Sequence, residues 1–129
     1  MIQAFSVNTT VGANEAIPFN STQTLKGCGV SHDSPTTYEI RKCGLYLLLI
    51  DASAATDFTI EVYVNGIPQA ATVRTGTNAS IAHTIIVPNN SSRCNKCSSP
   101  TIVQLMNIGA ETTFTAVNSV LLPTTGVDK

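Results

Sequence analysis

Apolar positions recur with period two along most of this chain, and no stretch sustains the 3.6-residue repeat of an amphipathic helix. β-branched residues are frequent, and Gly, Pro, Asn and Asp punctuate the chain at short intervals. That combination predicts an all-β sandwich or barrel. Strands are expected at residues 2–11, 17–20, 28–32, 37–41, 44–51, 58–64, 67–74, 79–87, 101–107 and 112–122. Pro18 suits the short second strand to a sheet edge. Asp33-Ser34-Pro35-Thr36 reads as a hairpin turn. Asn65-Gly66 reads as a tighter one, because both of its positions need φ > 0. Neither a linker nor an internal repeat divides the chain. Residues 1–129 therefore read as one domain, with residues 123–129 a loose tail.

Two neighbouring strands differ in kind. In residues 58–64, Phe58, Ile60, Val62 and Val64 share one face while Thr59, Glu61 and Tyr63 share the other, the pattern of a strand with one side in solvent. In residues 44–51, Tyr46, Leu48 and Ile50 face one way and Leu45, Leu47 and Leu49 the other. Both faces want burial, yet a two-layer sandwich covers only one face of each sheet. Either a loop or terminal arm lies over the second face, or another copy of the chain does.

Composition narrows the class. Apolar residues make up 43% of the 129, which excludes a chain disordered by composition. Charged residues are only 12%, low enough to suggest that part of the surface is covered by a partner. A net charge of −1 argues against nucleic acid or an acidic membrane as that partner. The longest apolar run, residues 44–50, is too short to span a bilayer. The first residues lack the basic and apolar regions of a signal peptide, so synthesis in a cytoplasm is expected.

Candidate chemistry centres on Cys28, Cys43, Cys94 and Cys97. Cys94 and Cys97 have half of a zinc-site spacing. Alternating strands would gather all four thiols at one pole. Lys26, Arg41, Lys42, Arg93 and Lys96 each lie within two positions of a cysteine, which favours thiolates. A structural four-cysteine zinc site, disulfides Cys28–Cys43 with Cys94–Cys97, and free buried thiols all remain open. None would be catalytic, since closed tetrathiolate zinc has no open position. His32-Asp33-Ser34 is too contiguous to form a catalytic relay and reads as a polar turn. His83 reads as a core or interface histidine, or as an ion site if its strand lines a symmetry axis. Asp51 reads as a turn residue or a polar contact between subunits. No enzyme motif is found, and no catalytic cofactor is expected.

Several short motifs in order carry a resemblance: Ile17-Pro-Phe-Asn20, Gly44-Leu45-Tyr46, residues 62–66 (Val-Tyr-Val-Asn-Gly), Leu105-Met106-Asn107 and Phe114-Thr115-Ala116-Val117. Over residues 2–122 the layout resembles the jelly roll of the tumour necrosis factor and complement globular-head superfamily, in its small phage and bacterial branch. The resemblance implies a ten-strand jelly-roll β-sandwich packed as a homotrimer. Leu45, Leu47, Leu49, Ile85 and Val117 would then form the trimer interface. With few aromatics and no Trp, the chain departs from the animal members. No collagen-like repeat or stalk precedes the first strand, so the chain reads as a bare head unit. The low charge and abundance of Thr, Asn and Ala resemble phage decoration or head-fibre proteins. The expected function is a non-enzymatic phage structural protein on the virion surface, made in the host bacterial cytoplasm. Its expected partners are its own copies, a major capsid or other virion protein and a host-surface glycan. The alternatives are a receptor- or carbohydrate-binding tip module of a phage tail and a bacterial spore-surface jelly-roll head.

Overall fold

A computed structural model describes residues 1–25, 30–87 and 100–124; for residues 23–25 and Asp33 only the backbone is described. Ten strands carry most of the described residues: β1 (Ile2–Val11), β2 (Glu15–Ala16), β3 (Ser21–Leu25), β4 (Val30–Ser34), β5 (Thr37–Ile40), β6 (Gly44–Val64), β7 (Ile67–Pro68), β8 (Arg74–Val87), β9 (Thr101–Asn107) and β10 (Thr112–Pro123). Along the sheet they run β3-β1-β10-β6-β9-β5-β4, with β2 on β9 and both β7 and β8 on β6. The ladders joining these strands are antiparallel.

The organising element is β6, 21 residues long where two separate strands are expected. Residues 52–57 (Ala-Ser-Ala-Ala-Thr-Asp) contain no glycine, proline or asparagine, so nothing there forces a turn. The first half of β6 pairs with β10 and most of β8, and its second half with β9, β7 and the start of β8. One strand thus serves both halves of the sheet, which curls about it until the halves face each other. Asn65-Gly66 then reverses the chain as expected, with φ of 54° and 78°. The Asn65 side chain accepts a hydrogen bond from the Ile102 amide at 2.9 Å, tying the turn to β9.

Two other expected strands are different in the structure. Residues 17–20 join no ladder. Pro18 has no N–H to give one, and the segment instead bridges the sheet halves. The Ile17 amide donates to Leu105 and the Phe19 amide to Pro35, while the Ser6 hydroxyl donates to Pro18 and accepts from the Asn20 amide. Beyond β7, the expected strand at 67–74 gives way to a 3₁₀ turn, Ala70–Thr72. The Thr72 hydroxyl accepts from the Val62 amide at 2.8 Å and donates to the Gln69 carbonyl, replacing a backbone partner there. The next strand starts earlier than expected, at Arg74. The hairpin between β4 and β5 is tighter than expected, closing at Ser34 and Thr37.

The core fills the space between the halves. Tyr46, Leu48 and Ile50 of β6 meet Ile2, Leu121 and Ile85 there, and Phe58 packs on Phe114 at 5.1 Å between ring centroids. One polar pin crosses it: the buried Tyr38 hydroxyl on β5 bonds Ser119 on β10, which donates to the Ala4 carbonyl. Burial pushes the Tyr38 phenol up, and the Ser119 hydrogen bond only partly opposes it.

Candidate functional site

Strand register decides which side chains share the outer face of β1, β10, β6 and β8. Leu45 sits opposite Ile86. Leu47 lies between Thr84 and Leu122, and Leu49 between Ala82 and Val120. Farther along, Asp51 lies between Ser80 and Asn118, and Ser53 between Asn78 and Ala116. Successive side chains alternate faces, so these residues all point away from the core. The face is zoned. Leucine, isoleucine and valine, with Thr84 and Ala82, fill the rows nearest Gly44, and one carboxylate, two amides and two hydroxyls, with Ala116, fill the rows nearest the bend of β6. On β1, Phe5 and Val7 continue the face opposite Asn118 and Ala116.

The apolar zone is open to solvent. Ile86 is 72% exposed and Leu49 39%, and Leu45 and Leu47 are half-buried. Large apolar side chains gathered on one sheet face mark an interaction surface far better than the same residues scattered.

This arrangement divides the five expected interface residues. Leu45, Leu47 and Leu49 lie on the outer face. Ile85 and Val117 do not: both are buried in the chain's own core. The reason is parity. Ile85 pairs with Tyr46 and Val117 with Ala52, both inward residues, whereas Ile86, Val120 and Leu122 pair with outward ones. The outer-face residues that complete the surface are therefore Ile86, Val120 and Leu122. Ile86 has a sequence signal, since it breaks alternation in the run Ile85-Ile86-Val87, but its direction follows only from the register.

Cys43 is buried and disulfide-bonded. Cys28, Cys94 and Cys97 lie outside the described residues, and with them the pairing and the four-thiolate alternative. His32 takes no part in a relay with Ser34: its ring nitrogens lie 2.9 Å from the Thr37 carbonyl and 2.8 Å from the Phe19 carbonyl. It anchors the segment 17–20 to the β4–β5 hairpin. His83 sits opposite Leu48, hence on the inward side of β8, and burial holds its imidazole below the usual histidine value. Asp51 is in mid-strand rather than in a turn, and it accepts a hydrogen bond from the Ser80 hydroxyl. Among the described residues, no group of three or more His, Cys, Asp or Glu side chains is placed to hold a metal ion.

No protein-family model matches this chain, and no curated protein does. Solved structures do. Rabbit GITRL is similar over 100% of both chains, with a TM-score of 0.55 and 14% identity. The globular domain of zebrafish complement 1qA protein is similar over 92% of this chain and 94% of its own, with a TM-score of 0.58 and 11% identity. At these identities the likeness is one of fold: the chain adopts a ten-strand jelly roll like those of the two structures.

Proposed function

We propose that this protein is a non-enzymatic structural head, a homotrimeric jelly roll that decorates a phage capsid or forms a short head fibre on the virion surface. The observation that carries the reading is the apolar outer face built on Leu45, Leu47 and Leu49, with Ile86, Val120 and Leu122 beside them. That zone carries no charged side chain. A second copy presenting the same zone would bury apolar area without stranding a charge. Low overall charge and the resemblance to small phage and bacterial jelly rolls support the virion setting. A disulfide at Cys43 supports the bridged state of the cysteine pole over the zinc-bound one, and such bridges suit a particle released from the host. The major capsid protein, or another virion protein, is the partner at the particle surface.

Light scattering tests the assembly. A mass near three times 13.6 kDa is expected for the wild type, and the one-chain mass for Leu47→Asp. A trimeric Leu47→Asp protein, or a monomeric wild type, would overturn this interface. Mass spectrometry of purified virions tests the setting: the chain is expected at a fixed ratio to the capsid protein, and its absence would remove the virion role.

A further inference from the structure

Beside the apolar zone, the outer face sinks into a groove of about 320 Å³. We propose that this groove binds a small, neutral, polyhydroxylated ligand of the sugar class. The groove shares its face with the proposed trimer interface, but the inference rests on how the sheet is built at this point and not on assembly.

Both neighbours of β6 lose register here. On one side Ser53 faces Asn78 and Phe58 faces Gly76, so residues 54–57 of β6 lie opposite Thr77 alone. On the other, Phe114 and Ala116 face Ala54 and Ser53, leaving Thr115 as the extra residue. Irregularities of this kind bend a strand and re-aim its side chains. Two of them flanking one strand open its outer face; Ala116 keeps the floor low, and Ala52 and Ala79, which turn their methyls to the core, offer only backbone there.

The polar lining comes from three strands: Asp51 and Ser53 on β6, Asn78 and Ser80 on β8, Asn118 on β10. Among the described residues only one hydrogen bond is made within this set, from the Ser80 hydroxyl to Asp51. The side chains of Ser53, Asn78 and Asn118 engage no other described group. A carboxylate accepts, while each amide both donates and accepts, and adjacent hydroxyls of a sugar do the same.

The lining also excludes other ligands. No basic side chain lines the groove among the described residues, and Asp51 repels anions. Arg74, which bonds the Ser80 carbonyl, spends its remaining contacts on the carbonyls of Ala71 and Val73. A lone carboxylate is a poor calcium site, which needs six or more oxygens at close range. The volume instead lies at the lower end of the range for small-molecule pockets, about 300–1,000 Å³. Phe5, opposite Asn118, and Val7, opposite Ala116, give the groove an apolar border on β1. A sugar ring has both hydroxyls and an apolar face to match.

The test is an amide NMR titration of the intact protein with glucose, galactose and N-acetylglucosamine, and with calcium chloride. The expected result is saturable shifts at Asp51, Ser53, Asn78, Ser80 and Asn118 with at least one sugar. Ala116→Leu, which fills the groove, should abolish them. Asn118→Ala should weaken binding at least tenfold, with the melting curve confirming that each variant is folded. Failure of all three sugars, shifts that survive Ala116→Leu, or shifts produced by calcium alone would each overturn the proposal. Light scattering on the same samples reports the assembly separately. Sugar shifts that persist when Leu47→Asp gives the one-chain mass support a site that each chain owns. Shifts lost with the trimer would overturn that claim.

Discussion

The two faces of the first half of β6 are nearly alike in composition and opposite in fate. Tyr46, Leu48 and Ile50 are buried inside the curled sheet, while Leu45 and Leu47 are only half-buried and Leu49 is exposed. Hydrophobicity alone does not choose between them. The inner face is chosen because β10 and β8 also turn buried residues that way, Leu121 and Ser119 on one side and Ile85 and Ile81 on the other. On the outer face the neighbours near Gly44 are mostly apolar too, but among the described residues no second layer covers them. A strand with two apolar faces thus contributes one face to its own core and leaves the other open to solvent.

Substitutions can break this contrast. Leu48→Ala should have the largest effect, a loss of about 2–5 kcal/mol for a fully buried leucine. Urea unfolding should show it at every protein concentration. Tyr38→Phe should come next. It removes the donor to Ser119 but leaves Ser119 bonded to Ala4, so about 1 kcal/mol is expected. A loss as large as that of Leu48→Ala would mean that the polar pin, not the apolar face, holds the halves together.

Leu47→Ala sharpens the contrast from the other side. Its cost should depend on protein concentration, because stability drawn from a second copy follows mass action. At dilutions where the chain is monomeric the change should shrink to within about 0.5 kcal/mol. A fixed, large cost at all concentrations would place Leu47 in the chain's own core. The smallest effect concerns His83, on the inward side of the edge strand β8. Its folded-state value lies below the ordinary 6.5, so above that value both states are neutral and nothing is lost. As pH falls through 6.5 the unfolded chain takes up the proton first, and stability drops until the folded value is passed. His83→Gln should flatten the fall in urea midpoint between about pH 7 and about pH 5 relative to the wild type. An unchanged slope would show that the ring is solvated on that edge.

Much of this protein is set by local chemistry and is readable along the chain. Period-two alternation at residues 2–11, 101–107 and 112–122 marks β1, β9 and most of β10 because each strand lays one face on a core. Asn65-Gly66 marks its turn because few other pairs tolerate two positive φ values. The double-faced apolar strand is legible too, as a strand with more apolar surface than one core takes. What the chain cannot reveal locally is parity. Ile85 and Ile86 are the same residue, and only the pairing of Tyr46 with Ile85 sends one inward and the other into solvent. The groove has no local signature for the same reason: Asp51, Asn78, Ser80 and Asn118 are ordinary polar strand residues until three strands align them. The continuity of β6, which places both surfaces on one sheet, also came from tertiary structure, because residues 52–57 carry no strong preference and follow the two sheet halves they join.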